Sequence, residues 1–429
     1  MRTEEPERSD STHLTVSCIS LSSAMMLALV LGGKAPASEK VAVPADKVAS
    51  VHRDAMIVDF HCDAISRFID GEDLRKELPE GHIDIPKLKR GGVDLQVFAC
   101  FVGPPENEEE KKTAAGRIET QIDAVYRLVG QNPHDLALVR SFDEYAAAQK
   151  TGRIGMLIGI EGGYGIENDL AKLNHFYDRG VRIMTLTHWN RTDWADASGD
   201  EKAEFCGLTE LGERIVREMN RLGMIIDISH VHDETFWDVL RITDSPVVAS
   251  HSCCRALSNH HRNLSDEMLK ALATNGGVIG INFAPGFLNA ELSKKQEELL
   301  AEVAKKHGLP PSWREIEKAE PQKREEFEKE LKARFEEARK GFPPVDVKLL
   351  VDHIDHAVKV MGDADHVGLG SDYDGIGSTP VGLENAGKLE AITSELAARG
   401  YTEDDIKKIL GGNFLRVIRA VCDKQLAAR

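Results

Sequence analysis

From residue 56 onward, short apolar runs alternate with longer stretches of mixed apolar and polar residues. The runs cover residues 56–63, 93–102, 154–162, 181–189, 224–231, 246–252, 277–284 and 366–375. Each has the length and the Val, Ile and Leu content of a buried strand. The stretches between them carry helical signals. Residues 208–223 place Leu208, Leu211, Ile215, Met219 and Leu222 on one stripe, and Gly223 supplies a C-terminal stop. Residues 265–276 open with Ser265, a capping residue, followed by acids that suit a helix N-terminus. Residues 346–361 and 383–399 are expected as helices on the same grounds. Eight strands, each followed by a helix, predict an α/β chain folded as a (β/α)8 TIM barrel. Residues 290–341 break the rhythm. They are dense in Glu, Lys and Arg, and Pro310-Pro311 and Pro343-Pro344 bracket their second half. Two charged helices on the outside, between the seventh and eighth strands, are expected there, with a solvated face rather than a partner surface.

The most apolar run of all lies outside this pattern, at residues 14–33. Arg2 and Arg8 precede it and Ala35-Pro36-Ala37 follows. Basic start, apolar centre and small-x-small exit predict a signal peptide over 1–37, with 38–429 as a single domain and an exported, periplasmic or secreted location. The alternative is an N-terminal anchor that stays attached. The chain ends CDKQLAAR, without the apolar tail of a GPI signal. Of the 429 residues 41% are hydrophobic and 29% charged, which is globular composition. The formal charge of -17 repels phosphate backbones, so no nucleic-acid partner is expected. Seven cysteines without CxxC spacing suggest neither zinc fingers nor a disulfide framework.

Candidate chemistry gathers where the predicted strands end, which in this fold is one rim of the barrel. The first ends in His61 and Asp63, two residues apart and so on one side of an extended strand. The third ends in Glu161, the fourth in His188, the fifth in His230, the sixth in His251, and the eighth in Asp372 and Asp374. A lone histidine at a strand end has little specificity. Four histidines and several carboxylates in one cavity are costly unless a cation offsets the charge and occupies the lone pairs. Imidazole and carboxylate together favour zinc or a similar divalent ion. One ion would take His61, Asp63 and Glu161, the other Glu161, His230 and His251, with Glu161 as the bridge. Two such ions, about 3.5–4 Å apart, hold a hydroxide between them and polarise a substrate oxygen. A mononuclear arrangement, with Glu161 as proton carrier, is the alternative.

The elements DFHCD, IGIEGG, TLTHWN, DISHV, ASHS, HHRNLSDE and GLGSDYDG resemble, in this order, those of the membrane (renal) dipeptidases within the amidohydrolase-like metal-dependent hydrolases. The resemblance runs from about Val51 to Ala420. It implies a zinc dipeptidase with two ions per chain on a (β/α)8 barrel, often a homodimer, acting on small dipeptides. His188 then resembles an oxyanion-stabilising histidine, Asp372 a proton-transfer carboxylate, and Arg262 the residue holding the substrate carboxylate. Arg262 is expected on a loop overhanging the rim, with Arg255 as its rival, and Asp374 as the rival of Asp372. Cys253 and Cys254, just past His251, are thiols expected near the metals. The family often accepts a D-residue at the C-terminal position. Other readings are a related amidohydrolase acting on a cyclic amide, a lactone or another carboxylate-bearing small molecule, and a non-catalytic barrel. Arg262 favours the dipeptidase, because a guanidinium near the metals suits a free carboxylate.

Overall fold

The computed structural model describes residues 42–423, apart from 106, 201, 312–315, 317 and 318. The expected leader over 1–37 and residues 424–429 of the C-terminus lie outside them. Among the described residues nine strands form one parallel sheet: β1 (Ile57–Cys62), β2 (Val93–Phe101), β3 (Leu136–Leu138), β4 (Ile154–Glu161), β5 (Val181–Thr185), β6 (Ile225–Asp227), β7 (Val248–Ser252), β8 (Val278–Asn282) and β9 (Val367–Gly370). Their order is β2-β1-β9-β8-β7-β6-β5-β4-β3, and a further β2–β4 pairing, from Leu95↔Gly155 to Phe101↔Glu161, closes a barrel of eight strands. β3 stands outside the eight. It pairs with Ile154–Met156 at the start of β4, on the edge that β5 takes over from Ile158 onward. The sequence pattern missed it because three residues are too few to show a period.

The helices form for the reasons read from the sequence. Thr209 caps Glu210–Leu222 by accepting from Gly212 N, Gly223 ends it at φ 77°, and Ile215, Val216, Met219 and Leu222 are buried. Ser265 caps Asp266–Thr274 by accepting from Met268 N. The helix expected over 383–399 starts later, at Glu390, because Asn385 first caps a short 3-10 turn, Ala386–Lys388. Below the sheet, the helix Asn413–Cys422 packs Phe414, Val417 and Ile418 against Val58, Leu95, Ile183 and Val278. That plug leaves the opposite, C-terminal rim for chemistry. Between β8 and β9 the chain forms Ala290–Lys306 and Pro321–Arg339, whose own small core includes Leu299, Val303, Phe327 and Leu331.

Several expected strands run too long at their C-terminal ends. β5 stops at Thr185, β6 at Asp227 and β9 at Gly370, and the candidate residues His188, His230 and Asp372 lie beyond them. His230 (φ 67°), Asp372 (φ 60°) and Asp374 (φ 66°) adopt left-handed backbone conformations, unusual for residues other than glycine. Such strain is retained where surrounding structure over-determines it.

Glycines on β8 and β9 allow the barrel to close tightly beneath the site. Phe60 lies over Gly280 and Gly368, where added Cβ atoms would sit 2.9 and 2.8 Å from its ring. A Cβ on Gly370 would come within 1.8 Å of the Ser250 carbonyl oxygen and 3.1 Å of His251 Cα. Gly370→Ala is therefore expected to destabilise by about 1–3 kcal/mol through overpacking. Gly116→Ala, on an exposed helical face with nothing within 4 Å, is expected to stabilise by about 0.5–1 kcal/mol. Thermal unfolding midpoints of the two variants check the contrast.

Candidate metal centre

Glu161, the last residue of β4, is 4% exposed and stands at the centre of the rim. Its two carboxylate oxygens face different partners. Oε2 lies 3.5 Å from His61 Nε2, which in turn lies 3.4 Å from Asp63 Oδ2. Oε1 lies 3.2 Å from His230 Nε2, 3.4 Å from His251 Nε2 and 3.8 Å from His188 Nε2. The Nε2 atoms of His230 and His251 are themselves 3.0 Å apart. The eight-strand barrel thus brings together all five residues expected to hold metal. His61 and Asp63 meet for a different reason than strand alternation. β1 ends at Cys62, and Asp63 turns out of it with φ -107° and ψ 13° into the helix Ala64–Ile69.

Ligand atoms fall within 4.8 Å of one another in three sets: His61, Glu161 and His251; Glu161, His188 and His230; and His61, Asp63 and Asp372. His188 and Asp372 therefore stand as close to the cluster as the expected ligands. Burial, assisted by Arg262 and neighbouring histidines, lowers His230 well below its ordinary value and takes His251 to about 3. Burial also lowers His188 to about 4. These rings are therefore neutral at neutral pH, the form that ligates metal. Burial opposes a charge on His61, yet Glu161 and Asp63 raise it well above the ordinary range. Glu161 is lowered well below its own: burial acts against its charge, and His61, His188, His230 and His251 prevail. His61 Nε2 is buried and has no hydrogen-bond partner. Set between two carboxylates that favour a positive charge at 3.4 and 3.5 Å, this nitrogen can exchange its proton for a cation, so the donor set fits a divalent metal.

Polar residues beneath the cluster orient it. Asp227 Oδ2 accepts from Ser250 Oγ (2.6 Å) and Thr185 Oγ1 (2.6 Å), while Oδ1 accepts from the backbone N of Ser229 (3.0 Å) and of Ser250 (2.9 Å). Ser250 Oγ has then spent its proton, so it accepts from His251 Nδ1 at 2.7 Å. That bond fixes the tautomer and leaves His251 Nε2 with a free lone pair facing Glu161. On the other side Asp59 accepts from Ser371 N (2.8 Å), Ser371 Oγ (2.6 Å) and Gln96 Nε2 (2.9 Å), locking the segment that carries Asp372.

Asp372 and Asp374 do not share a side, as strand parity would require, because both follow β9 in left-handed conformations. Asp372 faces the cluster, and Asn282 Nδ2 donates to its Oδ2 at 3.0 Å. Burial, with Asp63 and Glu161 close by, pushes its carboxyl up to about 7 against the pull of His61. Asp374 turns away: Oδ1 accepts from His82 N (2.7 Å), Oδ2 from Ile83 N (3.1 Å), and Arg67 Nη1 bonds both. Asn282, at the end of β8, carries no charge that would mark it in the sequence beside the His, Asp and Glu of the other strand ends.

Arg262, expected on a loop over the rim, has a buried side chain. It is 2% exposed, donates from Nη2 to the His251 carbonyl oxygen at 2.9 Å, and lies 5.2 Å from the Phe287 ring centroid. Its Nε has no partner, and among the described residues no carboxylate pairs with it. Its buried charge helps depress His188, His230 and His251. Arg255 is otherwise engaged, bidentate to Asp233 at 2.6 and 2.7 Å. Cys253 and Cys254 are not available as ligands. Their Sγ atoms donate to the carbonyl oxygens of Asn282 and His353, and burial pushes the Cys253 thiol up to about 12.

Above the cluster opens a cavity of about 780 Å³, with Asp63, Glu161, His188, His230 and Asp372 in its wall. Arg117, exposed on the helix Glu108–Gln131, also lines it. The volume suits a small organic ligand.

Solved structures with the same architecture include a probable dipeptidase, PvdM, from Pseudomonas aeruginosa, 27% identical, with a TM-score of 0.74 over 88% of this chain and 98% of that one. A metallo peptidase from Rhodobacter sphaeroides, liganded with a phosphinate mimic of the dipeptide L-Ala-D-Ala, is 24% identical, with a TM-score of 0.68 over 86% of this chain and 100% of that one. An amidohydrolase from Pseudomonas aeruginosa shares the fold at 21% identity, with a TM-score of 0.66 over 88% of this chain and 99% of that one. The family profile for membrane dipeptidase, peptidase family M19, matches residues 45–428. With the profile covering nearly the whole described chain and a cluster fit for metal at its centre, this chain belongs to the membrane dipeptidase family, a family of metal-dependent peptidases.

Proposed function

We propose that the chain is a dipeptidase holding two zinc ions, one by His61, Asp63 and Glu161 and the other by Glu161, His230 and His251. The observation that carries this reading is the division of Glu161, with Oε2 toward His61 and Oε1 toward His230 and His251. When bound, the two ions supply an activated water and polarise the scissile carbonyl. Asp372, held by Asn282, takes a proton from the attacking water on a carboxylate oxygen and returns it to the leaving amine. His188 donates from Nε2 to the substrate oxygen that gains charge. Arg262 supplies the buried cation behind His230 and His251 and so favours a substrate carrying a free carboxylate.

The dipeptide-mimic ligand of the Rhodobacter sphaeroides metallo peptidase supports extending the substrates to dipeptides ending in a D-residue. Residues 1–37 are proposed as an export leader and 38–429 as one catalytic domain, working as a homodimer in the periplasm or as a secreted enzyme.

Metal analysis of purified protein is expected to give about two divalent ions per chain, and chelation to abolish dipeptide hydrolysis. A fully active sample holding a single ion contradicts the bridging role of Glu161. Asp372→Asn is expected to lower kcat by about 10²-fold with metal retained. Asp374→Asn is expected instead to lower the thermal midpoint, since it disturbs contacts to Arg67, His82 and Ile83. The reverse pattern would exchange the two assignments. Dipeptide amides, lacking the carboxylate, are expected to show kcat/KM about tenfold below the free dipeptides, because the attraction of the buried Arg262 charge is lost. Equal rates on both would favour the amidohydrolase alternative, acting on a cyclic amide or lactone.

A further inference from the structure

A second cavity, of about 700 Å³, adjoins the metal cavity, and Trp189, Phe287 and Ile376 line both. Its far wall belongs to the insertion between β8 and β9: Leu300 on the helix Ala290–Lys306, and Leu331 and Phe335 on the helix Pro321–Arg339. Leu331 is part of the insertion's small core, and Leu300 and Phe335 pack partly against that core. The insertion thus presents one edge of its apolar core to this space and faces the apolar rim of the barrel across it. At the junction stands Trp189, next to His188, with its ring 5.6 Å from that of His230 and 6.2 Å from that of Phe287. It remains 40% exposed. Partly exposed apolar residues converging on one cavity suit an apolar ligand group. Charged residues around the cavity are of mixed sign, Glu297 and Glu336 with Lys332 and Arg339, so no single-sign field selects a charged occupant.

The metal cavity alone has the volume of a complete small-molecule site. A dipeptide with two small side chains would leave the second cavity empty, whereas a long apolar side chain would pass Trp189 and enter it. We propose that the second cavity is a specificity subsite for a large apolar side chain, aromatic or long aliphatic, of a dipeptide whose scissile amide lies at the Glu161 cluster. The proposal rests on the dipeptidase reading and adds to it the class of substrate the insertion selects. The insertion is then a wall of the substrate site and not only a solvated helical face.

Ser293 and Gln296 line the second cavity from the helix Ala290–Lys306 and are remote in role from the metal cluster. Ser293→Phe and Gln296→Trp narrow the space from the insertion side while leaving the cluster intact. The test measures kcat/KM of the zinc-loaded full chain and of both variants on L-Ala-L-Ala, L-Trp-L-Ala and L-Ala-L-Trp, with thermal midpoints alongside. The native enzyme is expected to prefer one tryptophan dipeptide over L-Ala-L-Ala by about tenfold or more, as an apolar pocket discriminates. Each variant is expected to lose that preference while L-Ala-L-Ala stays within about twofold of native. No tryptophan preference in the native enzyme, or variants that leave it intact or reduce all three substrates equally, would overturn the subsite. Metal-loaded protein that hydrolyses none of the three would overturn the dipeptidase reading and the subsite with it, whereas turnover of L-Ala-L-Ala without preference overturns the subsite alone.

Discussion

One buried carboxylate organises the molecule. Glu161 lies among four imidazoles, and no arrangement of those groups is stable in a dry cavity unless charges and lone pairs are matched. The barrel supplies the geometry that keeps them together. β4 brings the carboxylate to the rim, β1 brings His61 against one oxygen, and the segments after β6 and within β7 bring His230 and His251 against the other. The remaining cost is met by a cation, for which the bare His61 Nε2 and the neutral rings of His230 and His251 are suited.

Around that centre the supports are polar and rigid. Asp227 acts through Ser250 on His251, and Asp59 acts through Ser371 on the segment of Asp372. Each is a buried carboxylate whose oxygens are taken up by hydroxyl, backbone and, for Asp59, side-chain amide donors, so each holds its segment in one position. The left-handed backbones of His230 and Asp372 are sustained by this framework. Gly280 and Gly370 serve the same end by letting strands approach where a side chain would push β7 and His251 aside.

Much of this was legible in the sequence, for a physical reason. Apolar runs mark the strands, a parallel barrel sends all their C-terminal ends to one rim, and His61, Glu161, His188, His230, His251 and Asp372 each sit at or just past such an end. What failed was the local geometry beyond those ends. Strand parity put Asp374 beside Asp372, but two left-handed residues turn Asp374 toward Arg67 and the backbone of His82. A loop position suggested an open guanidinium at Arg262, yet the side chain is buried, with its guanidinium near the Phe287 ring and bonded to the His251 carbonyl. Asn282 escaped notice because an amide carries no charge to flag it, although it holds the carboxylate of Asp372. The charged surface of residues 290–341 dominated their composition and hid the few apolar positions, Leu300, Leu331 and Phe335, that wall a cavity beside the site.

In the proposed centre Glu161 serves two ligand groups at once. Metal titration by calorimetry of native protein and of Glu161→Gln addresses this directly, since an amide offers one carbonyl oxygen where the carboxylate offers two. The native protein is predicted to bind two equivalents, and the variant to lose at least one of them while keeping its thermal midpoint without metal. Retention of both equivalents at native affinity in the variant would contradict the bridging role of Glu161.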